Sequence, residues 1–301
     1  MQDKSKNIFL ALVVMALWGS LFPMVKLGYK AFVIASGDVP QILMFAGIRF
    51  TVCGGIISLF SLLKQKKSSE QSCEIKKSII PVLLVGLFSI ILHYTCTYIS
   101  LNLVDSSKTA ILKQLGTLLY ICFGFLFVKG EKFSWTKIVS AIIGFLGIVV
   151  INLNGNGFSF SLSDILIIVA SICTVAGSLA SKSAMKYLSP IKVTGFSQLF
   201  GGIVLVMVSL SLGGKFLAFN LAALPIFAYI CCASIISYCL WNTIIKKLEL
   251  SKMFIIKFSE PLLACLFGAL ILGENIFRWQ YLFAFLLISL GIIIANHVKA
   301  E

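Results

Sequence analysis

The residues of this sequence that could do chemistry are charged side chains inside long apolar runs. Lys257 and Glu260 stand three residues apart in the run MFIIKFSEPLLACLFGALILGE (253–274), and Lys113 stands in the run ILKQLGTLLYICFGFLFVKGE (111–131). A charge at the centre of a lipid bilayer costs about 2.5–3.5 kcal/mol on insertion scales, so charges retained there indicate a function. These side chains are therefore the first candidates for a binding site.

Three cations are candidates for binding an anionic group of a small molecule. Arg49 lies near the middle of another apolar run, and its planar guanidinium fits a carboxylate or phosphate through two hydrogen bonds. Its alternative role is a fixed bridge to Glu260 or to backbone carbonyls. Lys113 and Lys257 lie roughly 10 Å into their spans, where a lysine can either contact a ligand or extend to the membrane interface.

Glu260 and His93 are candidates for proton transfer. Glu260 can meet Lys257 on one face of a helix, so an internal ion pair and a protonatable carboxylate are both open. His93 fits a hydrogen-bonded core residue, a proton relay or a group that lines a cavity. Pro261 follows Glu260 and lacks a backbone donor, so we expect it to disturb the helix there.

Four aromatic side chains, Trp18, Tyr94, Tyr238 and Trp241, are candidates for lining the same site. Aromatic residues in membrane spans more often pack against neighbouring helices or form a belt at the interface. Both roles are open for these four, and Tyr94, the repeat partner of Tyr238, is a better candidate for the cavity than its neighbour His93.

The elements that must position these residues are transmembrane helices. The chain has 301 residues, of which 59% are hydrophobic and only 12% are charged, which is too little charge to cover a soluble domain. A helical span needs about 20 apolar residues. The sequence therefore predicts an all-α integral membrane protein with ten transmembrane helices, numbered here as spans 1 to 10, near residues 8–33, 39–62, 78–100, 104–128, 134–152, 163–187, 190–212, 221–245, 250–272 and 278–296.

The basic residues are unevenly divided between the two sides of the predicted bundle. Seventeen lie on the side of both termini, and three, Lys30, Lys215 and Arg278, lie on the other side. Loops rich in Lys and Arg stay in the cytoplasm, so we expect a multi-pass protein of the plasma membrane with both termini cytoplasmic. The net charge of +14 then reflects topology and not binding to nucleic acid.

Other residues are expected to have structural roles. Lys26 and Lys108 are expected to extend to the membrane interface. Glu131 and Glu274 follow a glycine at the end of a span, where a carboxylate favours the positive N-terminal end of the next helix. Two glycine pairs are expected to allow close packing between helices: Gly54-Gly55 in span 2 and Gly201-Gly202 in span 7.

The two halves of the chain repeat each other. Lys113 and Lys257 are 144 positions apart, and so are Tyr94 and Tyr238. Each half has an odd number of spans, five, so the two halves must lie upside down relative to each other. That arrangement is the inverted repeat of many secondary transporters, with the binding site between the halves. The predicted domains are two five-span repeats, residues 1–152 and 163–301.

In these features the sequence resembles the drug/metabolite transporter (DMT) superfamily, in particular its EamA-type members. The resemblance is carried by the ten spans in two fives, by Trp18-Gly19, by the Tyr94 and Tyr238 positions, and by the repeated Gly-Glu turn that precedes a glycine-containing span (Gly144 and Gly147; Gly291). It covers essentially the whole chain. The resemblance implies a carrier without ATP hydrolysis, of a kind that moves amino acids, sugars, nucleotide sugars and other metabolites through a central cavity.

We therefore expect a secondary active transporter whose central cavity alternates between the two sides of the membrane. The excess of cations within the spans favours amino-acid-like or organic-anion-like metabolites, and the resemblance favours export. The predicted substrate-binding residues are Arg49, Lys113, Lys257, Tyr94, Tyr238, Trp18 and Trp241, and the proton-coupling candidates are Glu260 and His93.

Two other functions stay open, a multidrug or cationic-compound efflux carrier and, more remotely, an integral membrane lipid-modifying enzyme. An enzyme is not expected, because the sequence has no Walker A loop, no H-E-x-x-H and no G-x-S-x-G. The nine cysteines show no metal-ligand spacing, so neither a metal nor another cofactor is expected. The expected partners are a small-molecule substrate and the lipid bilayer, with a proton as the candidate coupling ion, and the chain is expected to be a monomer or a homodimer.

Overall fold

In the computed structural model, the described residues are almost entirely helical. They are 2–63, 72–123, 135–151, 153–154, 157–158, 161–218, 221–247, 256–257, 259–275 and 278–297. The helices are α1 (Gln2–Ala31), α2 (Val39–Leu63), α3 (Ser72–Val85), a π-helix (Gly86–Leu92), α4 (His93–Leu103), α5 (Ser106–Leu112), α6 (Leu115–Phe123), α7 (Trp135–Ile151), α8 (Leu162–Ala184), α9 (Pro190–Ser211), α10 (Ala223–Lys247), α11 (Ser259–Leu272) and α12 (Trp279–His297). Two short strands that the sequence did not predict, β1 (Leu153–Asn154) and β2 (Gly157–Phe158), pair antiparallel between α7 and α8.

The length and apolar composition of the helices suit a membrane. Six stretches of the described chain are long and apolar enough to cross one, namely Asn7–Ala31, Val39–Leu63, Lys76–Leu103, Leu162–Ala184, Pro190–Ser211 and Ala223–Lys246. Shorter apolar helices lie at Ile138–Gly147, Ser259–Leu272 and Trp279–Gly291. The prediction of an all-α integral membrane protein is confirmed.

Spans 4 and 9 differ from the continuous helices that the sequence predicted. Span 4 is interrupted between α5 and α6, at Lys113 and Gln114, and α11 of span 9 begins only at Ser259, just after Lys257. The interruption in span 4 frees the carbonyl of Lys113, to which Ser171 Oγ donates a hydrogen bond of 3.0 Å. A serine on a neighbouring helix thus satisfies a backbone group that lipid could not. The two repeat-related lysines both lie at such helix ends.

Pro261 directly follows the interruption of span 9, in agreement with the prediction that the helix is disturbed there. It lies in the first turn of α11, which begins two residues earlier at Ser259. The backbone N–H groups of a first turn have no partner within the helix, so a proline there removes no helical hydrogen bond. The proline is therefore compatible with the start of α11.

Span 3 contains a π-helical segment, Gly86–Leu92, between α3 and α4. A π-helix accommodates more residues per turn than an α-helix and is frequent at functional sites. Here it places Ser89 and Ile90 on the wall of the central cavity, and His93 follows directly. The sequence carries no signal of this segment that a periodicity argument would detect.

Helices α2 and α9 join the two halves through glycines. A Cβ on Gly54 would lie 2.6 Å from the Cα of Leu199, and a Cβ on Gly202 would lie 2.7 Å from the carbonyl carbon of Phe50. Gly201 similarly packs against Ile90, so close packing is confirmed at three of the four predicted glycines. The prediction was wrong for Gly55, which faces open space, because it lies on the other side of α2.

Candidate functional site

A cavity of about 860 Å³, including its open mouth, lies in the centre of the bundle between residues of both halves. Its walls come from α1, α2, α3, the π-helix, α4, α8, α9, α10 and α11, together with Lys113 and Lys257 at the two helix ends. All nine residues that the sequence predicted for the site line this one cavity: Trp18, Arg49, His93, Tyr94, Lys113, Tyr238, Trp241, Lys257 and Glu260.

Arg49 is fully buried at one end of the cavity. Its Nε and Nη2 donate to Ser234 Oγ at 2.9 Å and 2.6 Å, and its guanidinium carbon lies 5.3 Å from the centre of the Tyr94 ring. Arg49 is therefore held by the Ser234 hydroxyl and by aromatic rings. The predicted fixed bridge from Arg49 to Glu260 or to backbone carbonyls is not what holds it. Its third nitrogen, Nη1, has no hydrogen-bond partner among the described residues.

Glu260 and Lys113 form an ion pair at another part of the cavity. Lys113 Nζ lies 3.8 Å from Glu260 Oε1, and the side chain of Glu260 is only 1% exposed. The sequence suggested Lys257 or Arg49 as the partner of Glu260, and Lys113 was not considered. The pair connects span 4 of the first half with span 9 of the second. Glu260 Oε2 has no hydrogen-bond partner in the part of the chain that the structure describes.

Lys257 lies in the same region against two tryptophan rings. Its Nζ is 5.8 Å from the centre of the Trp18 ring and 6.0 Å from that of Trp241, within the range of cation–π attraction. Lys257 is 3% exposed, so this lysine does not reach the membrane interface. The lysine therefore contributes positive charge to the cavity wall.

Aromatic side chains connect the arginine end with the lysine and glutamate end. The hydroxyls of Tyr94 and Tyr238 are hydrogen-bonded at 2.7 Å, so these repeat-related tyrosines meet where the two halves join. The Trp18 ring lies 5.6 Å from that of Tyr238 and 4.9 Å from that of Trp241. The four predicted aromatics thus form a continuous wall of the cavity and do not belong to an interface belt.

His93 combines two of the three roles that the sequence left open. It lines the cavity, and its Nδ1 lies 2.9 Å from the carbonyl of Ala170 and 3.0 Å from Thr174 Oγ1. The carbonyl can only accept, so the tautomer assigned by this contact carries a proton on Nδ1. The role of proton relay stays a prediction.

Neutral polar side chains on the cavity wall were missed by the sequence reasoning, which followed charges and aromatics. They are Ser89 and Thr97 in the first half and Thr174, Ser178, Ser181, Ser197, Gln198 and Asn242 in the second. On α8 the spacing of Thr174, Ser178 and Ser181 places all three on one helix face. That spacing was the available signal, although serine and threonine are common in membrane helices for packing.

A second polar region, at one end of the bundle, ties spans of the two halves together. Glu274 accepts hydrogen bonds of 2.7–3.1 Å from the backbone N–H and the hydroxyl of both Ser106 and Ser107, and Lys26 Nζ lies 3.7 Å from it. The carboxylate does lie at a helix N-terminus, but at that of α5 and not of the next helix as predicted. Burial alone would raise the pKa of Glu274, but these four hydrogen bonds outweigh it and lower the pKa. Glu131 lies outside the described residues.

Two further contacts complete this region. Lys108 Nζ lies 2.9 Å from Asp164 Oδ1, and Asp105 Oδ2 lies 3.0 Å from the donating Tyr281 hydroxyl and 3.8 Å from Arg278. Lys26 and Lys108 were expected to extend to the interface, and each has a carboxylate partner at this end of the bundle. We call the residues Lys26, Asp105, Ser106, Ser107, Lys108, Asp164, Glu274, Arg278 and Tyr281 the outer cluster. Among the described residues, no group of three or more His, Cys, Asp or Glu side chains could hold a metal.

Comparison with known proteins gives consistent matches along the chain. The model of the EamA-like transporter family matches residues 5–153 and 161–296. The uncharacterized inner membrane transporter YedA of Escherichia coli (strain K12) is 26% identical over 91% of this chain and 88% of its own length. An uncharacterized transporter of Archaeoglobus fulgidus is 24% identical over 89% of this chain and 91% of its own, and the uncharacterized transporter YoaV of Bacillus subtilis (strain 168) is 25% identical over 87% of each.

One solved crystal structure has the same fold. It superposes with a TM-score of 0.62 at 17% identity, and the match covers 97% of this chain and 96% of that one. At that identity the likeness concerns the fold alone. The family model and the relatives confirm the resemblance to EamA-type carriers that the sequence motifs indicated.

Proposed function

Because this chain belongs to the EamA-like transporter family, we propose that it is a secondary active transporter that exports small carboxylated metabolites, amino-acid-like or organic-anion-like, through its central cavity. The observation that carries the proposal is the charge of the cavity wall. Arg49, Lys113 and Lys257 stand against Glu260, which leaves a formal excess of two positive charges with His93 neutral. In a region of low dielectric, such an excess favours a substrate with an anionic group.

Arg49 is the residue we propose for binding the carboxylate. Its two hydrogen bonds to Ser234 fix the guanidinium, while Nη1 has no hydrogen-bond partner among the described residues. A buried donor without a partner is costly, and a carboxylate supplies a strong, charge-assisted acceptor for it. A substrate bound there would lie against Tyr94, whose ring already packs on the guanidinium.

Alternating access fits the position of the outer cluster. Its contacts tie spans 1 and 4 of the first half to spans 6, 9 and 10 of the second, through pairs such as Lys26–Glu274 and Lys108–Asp164. The bias of basic loops assigns this end to the non-cytoplasmic side, with both termini in the cytoplasm. We propose that the outer cluster closes the cavity on that side and that its contacts separate when the halves rock to release substrate.

Glu260 is the proposed proton-coupling residue. Its carboxylate is buried and paired with Lys113, and the pair joins the two repeats. Protonation would remove the charge that holds Lys113 and would loosen this contact between the halves. Inward movement of a proton through Glu260, with His93 as the second candidate, could then drive outward movement of the substrate.

A cationic-compound efflux carrier is the second candidate function. Trp18, Trp241 and Tyr238 form an aromatic wall, which attracts cations, and Glu260 Oε2 has no hydrogen-bond partner among the described residues. That function predicts the opposite preference for substrate charge. The excess of cations on the cavity wall favours the carboxylated substrate.

Transport by the purified protein in proteoliposomes tests the proposal. The panel contains labelled amino acids, organic acids and cationic dyes, each measured with and without a pH gradient. We expect gradient-driven movement of a carboxylated solute, with strong loss of transport in Arg49→Gln and loss of the gradient response in Glu260→Gln. Lys30→Gln is the control, because Lys30 is an exposed cation outside both the cavity and the outer cluster. Movement of cationic dyes alone would favour the second candidate and overturn the first.

A further inference from the structure

Hydroxyl groups on the cavity wall formed by the second half of the chain already donate their protons to backbone carbonyls. Thr174 Oγ1 donates to the carbonyl of Ala170 at 3.1 Å, and Ser178 Oγ donates to that of Thr174 at 2.8 Å. On α9, Ser197 Oγ donates to the carbonyl of Thr194 at 3.2 Å. A hydroxyl has one proton and two lone pairs, so these oxygens can only accept a further hydrogen bond. This part of the wall therefore offers acceptors.

Other side chains of the wall are donors. The guanidinium of Arg49 and the ammonium groups of Lys113 and Lys257 have no acceptor capacity. Trp18 Nε1, which is a donor only, has no hydrogen-bond partner among the described residues. The cavity wall thus offers donors that fit an anion and acceptors that fit N–H or O–H groups of a ligand.

Gln198 follows Ser197 on the cavity wall, and its side chain has no hydrogen-bond partner among the described residues. It is 1% exposed, it lines the cavity from α9, and both Oε1 and Nε2 have no hydrogen-bond partner in the described part of the chain. Buried carboxamides in proteins are normally hydrogen-bonded, so this one calls for an explanation. A ligand group that both donates and accepts would satisfy it.

The distance from Gln198 to the arginine suits a small metabolite. Helices α2 and α9 run antiparallel along their contact, with Gly47 beside Val206 and Gly54 beside Leu199. The backbone of Arg49 is therefore level with about residue 204 of α9, so the backbone positions of Arg49 and Gln198 lie about six residues, or about 9 Å, apart along the helix axis at 1.5 Å per residue. A metabolite of amino-acid size, with one hydrogen bond at each end, is comparable in length to this backbone separation.

We infer that Gln198 is the specificity-determining residue of a second subsite in the cavity, and that this subsite takes a hydroxyl or carboxamide in the tail of the carboxylated substrate. The inference rests on the proposed function, because it takes the carboxylate at Arg49 as given. It narrows the substrate class to carboxylated metabolites with a polar, uncharged tail. Aliphatic tails of the same size would leave the carboxamide of Gln198 buried without a partner.

Matched pairs of solutes test this subsite in proteoliposomes. Threonine and valine have nearly the same shape, as do asparagine and leucine, and only the first of each pair can hydrogen-bond through its tail. We expect the wild type to transport the polar member at least about tenfold better. Gln198→Met should reduce transport of the polar member about tenfold and raise that of the aliphatic member, because no carboxamide is then left without a partner.

The control is Gln114→Met. Gln114 is equally buried, at 1% exposure, and lies beside Lys113, but it is not among the residues that line the cavity. We expect this variant to keep the wild-type ratio. Gln198→Asn provides a second test that retains the carboxamide on a shorter side chain, and it should shift the preference from asparagine toward the longer glutamine.

The outcomes separate the subsite from the proposed function. Equal transport of both members of each pair by the wild type, or an unchanged ratio in Gln198→Met, would overturn the subsite and leave the carboxylate carrier intact. A wild type that transports no carboxylated solute would overturn the proposed function, and the subsite with it. Melting temperatures in detergent, compared with that of the wild type, identify any variant that has lost its fold. If Gln198→Met has lost its fold, the substrate preference of Gln198→Asn decides whether the subsite exists.

Discussion

The central cavity and the outer cluster are both polar regions that join the two repeats, but their hydrogen bonding differs. In the outer cluster, Glu274 has four hydrogen-bond donors and a lysine partner. Asp164 Oδ2 accepts from Ser161, and Asp164 Oδ1, which has no hydrogen-bond partner among the described residues, lies 2.9 Å from the ammonium of Lys108. In the cavity, the buried side chains of Arg49, Gln198 and Glu260 each keep a polar atom with no hydrogen-bond partner among the described residues. The outer contacts thus resemble groups that stabilise one arrangement of the halves, whereas the cavity groups resemble a site prepared for a ligand.

The largest expected effect is a loss of transport, which we expect from a substitution in the cavity and not from one in the outer cluster. Arg49→Lys keeps the charge but loses the planar, fixed guanidinium, so we expect transport of a carboxylated solute to fall by about 100-fold. The measurement is the initial rate in proteoliposomes. An Arg278→Lys variant should retain the wild-type rate, and a similar loss in both variants would remove the distinction between cavity and outer cluster.

The next largest expected effect is a loss of stability, which we expect from a substitution in the outer cluster. Glu274→Ala removes the acceptor for four donors at the start of α5 and the partner of Lys26, so we expect a loss of about 3 kcal/mol in the free energy of unfolding. Chemical or thermal unfolding in detergent measures it. Substrate preference among carboxylated solutes should stay as in the wild type, and a changed preference would contradict a purely structural role for the outer cluster.

A smaller effect concerns the Lys113–Glu260 pair, which belongs to the cavity but resembles the outer contacts. A double-mutant cycle with Lys113→Met and Glu260→Gln should give a coupling energy of about 1–2 kcal/mol in unfolding experiments. The matched cycle uses Lys108→Met and Asp164→Asn in the outer cluster, where the 2.9 Å contact predicts at least as strong a coupling. Additive effects of Lys113→Met and Glu260→Gln would show that the 3.8 Å contact contributes nothing to stability.

The smallest effect is a dependence of stability on pH. The pKa of Glu274 lies below its ordinary value of 4.5, since its hydrogen bonds outweigh burial. The stabilisation from this carboxylate is therefore complete above about pH 4.5 and is lost as the pH falls through the lowered pKa. We expect melting temperatures of wild type and Glu274→Gln to converge below pH 4.5. A constant difference across this range would mean that the ionised form is not what the hydrogen bonds stabilise.

The sequence predicted those features whose signal lies within a short stretch of the chain, and it missed those that depend on distant residues. Lone charges in apolar runs and tyrosines repeated at 144 positions are visible in the chain itself, and these residues do line one cavity. The partners were not predictable in the same way. Glu274 contacts Ser106 from 168 positions away, and Glu260 contacts Lys113 from the other half, so both pairs depend on how the halves pack. Gln198 was missed because the sequence reasoning followed charges and aromatics, although Thr194, Ser197 and Gln198 share one face of α9.

The central claim is that the cavity binds a carboxylated substrate while the outer cluster holds the halves together. Ligand-induced stabilisation tests it most directly, because a ligand that binds only the folded state raises the melting temperature. The measurement compares melting temperatures of wild type, Arg49→Lys and Glu274→Ala with and without a saturating solute from the transported panel. We predict a rise in the wild type and in Glu274→Ala, and none in Arg49→Lys. An undiminished rise in Arg49→Lys would contradict the claim.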